Sequence, residues 1–280
     1  MKRILITGKN SYIGKSFQAW LAQYPGEYEV DSISVRGDEW KDKDFSKYDS
    51  ILHLAGIAHV SRNPKMEDLY YRVNRDLTIS VAKKAKKENV KQFIFMSSII
   101  VYGDSYYENA AISSDTELSP SNFYGKSKLE AERELGKLST DTFRVMIIRP
   151  PMVYGKGAKG NFGRLIKIAS RTPIFPEIRN LRSVINVDNL CEFIKTSIDL
   201  ELRGVEHPQD NRKLSTTEMV KIISGSKGKK IYFTKILNPI IKLFKSVPIM
   251  KKIFGNLYYS DELSTIPKSY NLKKFEDAID

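Results

Sequence analysis

A tyrosine and a lysine four positions apart, Tyr124 and Lys128, carry the chemistry this sequence offers most clearly. They lie in Asn122-Phe123-Tyr124-Gly125-Lys126-Ser127-Lys128, at the head of a predicted helix, where residues i and i+4 share a face. Unperturbed, a tyrosine titrates near ~10 and a lysine near ~10.4, so an ammonium fixed beside the phenol favours phenolate and lowers the tyrosine pKa. Tyr124 is then a candidate proton shuttle near neutral pH. A hydroxyl arrives from a second stretch, Ser97-Ser98-Ile99-Ile100-Val101-Tyr102-Gly103, which follows the apolar run Val90 to Met96. That run reads as a strand, and open α/β sheets place their ligands at the carboxyl ends of strands.

Positioning these groups requires a scaffold, and the chain supplies one. Lys2 to Thr7 is a short β-branched run of the kind that forms a buried parallel strand. A glycine turn, Gly8-Lys9-Asn10-Ser11-Tyr12-Ile13-Gly14, follows it, and then a helix with Ile13, Phe17, Trp20 and Leu21 on one face. Strand, glycine turn and helix N-terminus form an entry for a pyrophosphate. A second strand, about Glu29 to Val35, ends at Arg36-Gly37-Asp38, where dinucleotide folds touch the adenosine ribose. Arg36 suits a 2′-phosphate and leans toward NADP, with Lys9 as a helper, while Asp38 keeps NAD open.

The stretch Tyr48 to Leu54 gives another strand, ending in the small residues Ala55 and Gly56; His59 in the following loop receives no chemical role. A long amphipathic helix is predicted over Met66 to Glu88, and a polar loop over Asp104 to Ser121. Phe143 to Arg149 is a further strand, stopped by Pro150-Pro151. This alternation predicts a doubly wound parallel sheet. We expect a dinucleotide-binding domain over residues 1–155 and a smaller α/β substrate-binding lobe over 156–280, with returns to the main sheet near 182–200. The lobe should hold a helix at Phe162 to Ala169 and a strand at Arg182 to Val187. Near the end, Asn238-Pro239 should cap a short helix with Ile240, Ile241 and Phe244 on its apolar side. A second helix starts near Ser246 and stops at Gly255, burying Ile249, Met250, Ile253 and Phe254. Lys242, Lys245, Lys251 and Lys252 line the other faces. The expectation is that both helices roof the smaller lobe, with contact to an anionic membrane as the minority alternative.

Bulk properties narrow the field. With 280 residues and 41% hydrophobic content the chain can bury a sizeable core. A lone cysteine, Cys191, excludes an internal disulfide framework and fits a reducing cytoplasm. His53, His59 and His207 show no metal-ligand spacing, so no metal site is expected. The apolar run after Met1-Lys2-Arg3 is broken by Thr7-Gly8-Lys9-Asn10, too early for a secretory signal. A net charge of +13 suggests an acidic partner or plain lysine-rich solubility. Nucleic acid is set aside, because no helix-turn-helix, zinc or RNA-stacking pattern accompanies the basic residues.

Six stretches, in order, resemble the extended short-chain dehydrogenase/reductase superfamily of nucleotide-sugar epimerases, dehydratases and reductases. They are Thr7-Gly8 to Gly14, His53-Leu54-Ala55-Gly56, Ser97-Ser98 to Gly103, Tyr124 to Lys128, Arg149-Pro150-Pro151-Met152-Val153-Tyr154-Gly155, and Arg182-Ser183 to Val187-Asp188. The resemblance implies a Rossmann-type sheet, an NAD or NADP cofactor and a UDP-sugar substrate. It implies that Tyr124 is the acid/base, that Lys128 holds the nicotinamide ribose, and that Ser98 bonds the reacting sugar oxygen. Gly8, Asn10, Ser11, Tyr12, Ile13 and Gly14 would hold the pyrophosphate, with Asp44 and Phe45 near the adenine. Leu54, Ala55, Gly56 and Pro151 would also line the cofactor, and Asn161 and Arg182 the substrate, Arg182 at its diphosphate. A homodimer through the Met66 to Glu88 and Tyr124 helices is implied as well.

There are two departures. Ser11 replaces the family's middle glycine; its Cβ crowds the pyrophosphate while its hydroxyl can donate to a phosphate oxygen. Ile99 and Ile100 stand where the 4,6-dehydratases carry an Asp-Glu pair, which excludes that elimination. What remains is 4-epimerisation, or reduction of a 4-keto-6-deoxy sugar for surface polysaccharides. A non-catalytic NADP-binding sensor or scaffold is the alternative, though it would have no reason to keep Ser98, Tyr124 and Lys128 together.

Overall fold

In a computed structural model of the chain, the structure describes residues 1–58, 63–104, 111–244, 247–263 and 268–278. His59, Lys245 and Ser246 lie outside these, as do the side chains of Lys242 and Ile249. The elements in order are β1 (Lys2–Thr7), α1 (Tyr12–Leu21), β2 (Tyr28–Ile33), β3 (Ser50–His53), α2 (Glu67–Tyr71), α3 (Thr78–Lys87), β4 (Gln92–Met96), α4 (Phe123–Leu138) and β5 (Arg144–Ile148). There follow β6 (Met152–Tyr154), α5 (Gly160–Arg171), β7 (Ile174–Pro176), β8 (Val184–Asn186), α6 (Val187–Asp199), β9 (Gly204–Glu206), α7 (Thr216–Ser226), β10 (Tyr232–Thr234), α8 (Asn238–Leu243) and α9 (Pro248–Phe254).

The chain forms two compact units. The first, residues 1–103, 118–150 and 190–208, is built on a six-stranded parallel sheet in the order β2-β1-β3-β4-β5-β9. Its central strands carry apolar runs in their middles because both faces are covered: Ile4 to Ile6, Ile51, Leu52 and Phe93 to Phe95 are fully buried. Burying each such side chain contributes about 1.5–3 kcal/mol. One face packs on Val81, Ala82 and Ala85 of α3 and Ala131 and Leu135 of α4, with Phe45 and Trp40 closing the edge. The chain lays β2 on one side of β1 and then crosses to the other for β3, so the order reverses between β1 and β3. Registers align Thr7, His53, Phe95 and Ile147 in one row, so the segments after these strands leave from the same edge.

The second unit, residues 104–117, 151–189 and 209–280, carries two parallel strand pairs, β6 with β8 and β7 with β10. Phe175 packs between Phe233 and Phe254, and Tyr154 between Phe162 and Phe275. These boundaries differ from a cut at residue 155 for identifiable reasons. Ile112 pairs with Tyr259, and β6 pairs with β8, which takes both segments into the smaller unit. Conversely, β9 pairs with β5, which returns Leu190 to Pro208 to the sheet.

The single helix expected over Met66 to Glu88 is interrupted. Between α2 and α3 the turns of Arg72–Leu77 widen to π geometry, which turns Asn74 into the interior, fully buried. Nor does Asn238 cap α8 through its Oδ1, which has no hydrogen-bond partner; its Nδ2 donates instead to Glu177 O at 2.9 Å.

Candidate active site

At the reversal between β1 and β3, Gly8 has φ of +99°, and a Cβ there would meet the Ala55 N at 2.9 Å. Only glycine lets the β1 turn lie flat against the Leu54-Ala55-Gly56 segment. The turn ends in α1, whose N-cap is Ser11: its Oγ accepts from the Gly14 N–H at 2.9 Å. The serine that replaces the family's glycine is thus a helix cap, and one amide expected to face a pyrophosphate is committed to it. Gly14 itself is buried, and a Cβ there would meet Ile6 and Leu54, each at 3.2 Å. Asn10 is exposed, and Tyr12 and Ile13 are half-buried in the first turn of α1. A cradle that a Cβ would fill, at a helix N-terminus on the reversal point, fits a dinucleotide pyrophosphate.

Arg36 is exposed just past β2, its amide donating to Ser34 Oγ. Asp44 is exposed and accepts from the Ser46 amide and hydroxyl, which hold its carboxyl below the usual range. Phe45 is different. Its ring is core, stacked on Trp40, and its amide donates to Glu88 Oε2 at 2.6 Å, so this residue serves packing.

At the next strand ends the structure brings Ser98, Tyr124 and Lys128 together. Ser98 follows β4 and caps a tight turn at Ile99–Tyr102. Asn122 caps α4 by accepting from the Gly125 N–H at 3.1 Å. A Cβ on Gly125 would lie 2.8 Å from Pro120 and 3.0 Å from the Ile100 carbonyl, so glycine here lets the head of α4 close on the Ser98 turn. Ser98 and Tyr124 approach one another closely enough for the serine hydroxyl to favour the charged form of the phenol. Burial pushes Tyr124 up to about 12, opposed by the nearby Ser98 hydroxyl and aided by Tyr70, whose ring meets it edge-on. This corrects the expectation of a lowered tyrosine pKa. Desolvation dominates, and the Lys128 ammonium is turned to the Met96 carbonyl at 2.9 Å, over the Phe95 ring. Burial lowers Lys128 to about 8, with Glu132 pulling the other way. Its Nζ would lie 3.4 Å from a Cβ on Gly56, which sets the ammonium beside the end of β3.

Two supports were not evident from spacing alone. Asn74 brackets Ile57, accepting from its N–H at 2.8 Å and donating to its carbonyl at 3.1 Å, and it also donates to Ser127 Oγ at 3.2 Å. It ties the β3 loop to α4. A buried polar residue within a helical pattern was the available signal. The second is Glu132, one turn beyond Lys128. It accepts from Ser97 and from Arg149 Nη2 at 2.6 Å, while Arg149 Nη1 donates to Tyr102 Oη at 2.7 Å. Burial opposes the arginine's charge, but Glu132 outweighs it and holds the guanidinium above its ordinary value. His53 bridges Thr7 and Thr78 in the core, held neutral near 3 by burial.

The remaining predicted residues belong to the second unit. Pro151 is buried, and Asn161 is exposed in the first turn of α5. Arg182 is buried, its Nη1 donating to the Lys252 and Gly255 carbonyls at 3.0 and 2.9 Å; burial lowers it to about 10. At least this nitrogen serves the end of α9.

Residues 4–205 match the model of the NAD dependent epimerase/dehydratase family. The chain belongs to this family. Its fold is the Rossmann-type α/β fold, and the family's cofactor is a nicotinamide dinucleotide. Among curated relatives, UDP-glucose 4-epimerase of Vibrio cholerae is 33% identical over 229 residues, covering 76% of this chain and 66% of that protein. N-acetyl-alpha-D-glucosaminyl-diphospho-ditrans,octacis-undecaprenol 4-epimerase of Escherichia coli O157:H7 is 30% identical over 233 residues, covering 80% of this chain and 69% of that protein. The chain therefore spans about two thirds of the length of these relatives. A dTDP-4-dehydrorhamnose reductase from Clostridium acetobutylicum superposes with a TM-score of 0.76 at 18% identity, covering 99% of this chain and 96% of that one.

Proposed function

We propose that this family member acts at carbon 4 of a hexose carried on a diphosphate, as a 4-epimerase of a UDP-hexose or UDP-N-acetylhexosamine. The observation that carries the reading is the meeting of Ser98, after β4, with Tyr124 at the head of α4, at the sheet edge where Lys128 also lies. A bound dinucleotide supplies the hydride acceptor and donor. Tyr124 Oη takes the proton of the sugar 4-hydroxyl during oxidation and returns one to the 4-keto oxygen during reduction. Ser98 Oγ holds that oxygen and orients the phenol. Lys128 holds the nicotinamide ribose. Gly8 and the amides of Asn10 to Ile13 hold the pyrophosphate, Asp44 the adenine, and Leu54 to Gly56 with Pro151 the flanks. Asn161 and Arg182 serve the substrate. A homodimer, a cytoplasmic setting and a part in surface-polysaccharide synthesis belong to the same proposal.

Arg36 favours a second reading, reduction of a 4-keto-6-deoxy sugar by exchangeable NADPH, because an exposed guanidinium at the end of β2 suits a 2′-phosphate. One experiment separates the two. The purified protein is denatured and its released dinucleotide identified; fresh protein is then given UDP-hexoses, UDP-4-keto sugars with NADPH, or a polyprenyl-diphosphate N-acetylhexosamine. Retained NAD with interconversion of hexoses supports the epimerase, and NADPH consumption by a keto sugar the reductase. Conversion of the lipid-linked sugar alone would assign the carrier named for the E. coli relative. Bound nucleotide with no conversion would remove the enzyme reading.

A further inference from the structure

The short helix α8 leaves an apolar face uncovered. Ile240 and Leu243 on the helix, with Ile236 before it and Phe244 and Val247 after it, are exposed apolar residues. In chain order they are 79%, 55%, 78%, 49% and 38% exposed. Leu237 and Ile241, on the other side, are half-buried, and Asn238 holds the helix to Glu177. The segment is therefore anchored along one side and presents the other. Contiguous apolar exposure of this kind marks an interaction surface rather than an ordinary soluble face.

Charge identifies the partner. From Lys227 to Ser260 the sequence holds eight lysines and no acidic residue. A second copy of the chain would bring lysine-rich faces together in a symmetric contact, and like charges oppose that. Nucleic acid would leave the apolar stripe unsatisfied. An apolar stripe flanked by lysines suits a bilayer with acidic headgroups. No helix among the described residues is long and apolar enough to cross a membrane, so the segment would lie in the interface.

We propose that α8 and its flanking lysines dock this protein on an anionic membrane surface, with Ile240, Leu243 and Phe244 entering the headgroup–acyl boundary. The surface is independent of the sugar chemistry. It also revises the expectation that α8 simply roofs the smaller lobe: α9 does pack, through Phe254 on Phe175, whereas the α8 stripe does not.

The test is co-sedimentation of the full chain with vesicles of phosphatidylcholine alone and of phosphatidylcholine mixed with phosphatidylglycerol. The protein should pellet with the mixed vesicles, less so in high salt. The double variant L243S/F244S should bind about ten-fold more weakly, with unchanged melting and unchanged turnover of a soluble UDP-sugar. Lys230→Glu with Lys235→Glu should weaken binding several-fold, and this pair keeps the question open to test if the first variant unfolds. Equal pelleting of wild type and variants, or no preference for acidic lipid, overturns the proposal. So does light scattering that shows a self-associated wild type split by L243S/F244S, which would assign the stripe to a second copy. Failure of the sugar assay with intact vesicle binding would count against the proposed reaction only.

Discussion

The head of α4 buries polar groups where proteins ordinarily bury apolar ones, and α8 exposes apolar groups where proteins ordinarily expose polar ones. In the first region Lys128, Glu132, Arg149 and Asn74 are almost wholly removed from water, and the cost is met by close partners. In the second, Ile236 and Leu243 keep over three quarters of their surface in water with no apolar cover. Each departs from the usual sorting of residues, in opposite directions, and each marks function for a different reason. Buried polarity fixes geometry and shifts pKa values, whereas exposed apolarity waits on a partner. Substitutions in the first region should therefore be costly to stability, chemistry or both, and those in the second nearly silent except in association.

Four variants examine that contrast. Tyr124→Phe should lower turnover by about 10³, or ~4 kcal/mol, while melting and dinucleotide binding persist; full activity across neutral pH would remove the acid/base assignment. Glu132→Gln should cost about 3 kcal/mol in urea denaturation, since Arg149 is left buried without its anion. Because Glu132 also raises Lys128, the alkaline limb of the pH–rate profile should move below about 8 in this variant. An unmoved limb would detach Lys128 from that limb.

Lys128→Met should abolish activity yet raise stability at pH 7 by ~2 kcal/mol. The sign follows from burial. The folded-state pKa falls from 10.5 to about 8, so between those values the unfolded chain binds more protons and wild-type stability climbs with pH. In the methionine variant that climb should vanish, and a persistent slope would place it elsewhere. Smallest of all, L243S/F244S should alter stability by no more than about 0.5 kcal/mol; a larger loss would mean the stripe is packed after all.

Much of the first unit was legible because β1, β3, β4 and β5 are short apolar-centred runs ended by Gly8, Ala55-Gly56, Ser97-Ser98 and Pro150, which period and punctuation reveal. The strand β9 was not, since Gly204-Val205-Glu206 is too short for any period and gains its place only by pairing with β5. Residue spacing put Tyr124 and Lys128 on one helix, but it carries no information about desolvation, and so the direction of the Tyr124 shift came out reversed. Ser11 as a cap was readable in principle from a serine opening a helix. The role of Phe45 in the core was not readable from its place beside Asp44 alone.

The wide turn at Arg72–Leu77 ties the site to the length of the chain as well as to its composition. Each residue advances an α-helix by about 100°, so losing one residue within this turn would restore ordinary winding and shift the phase of everything on one side of it. Asn74 would then swing away from Ile57 and Ser127, or α3 would rotate its alanines off the sheet. A single-residue deletion here, harmless in a loop, would leave every strand in place and disconnect the β3 loop from the helix that bears Tyr124.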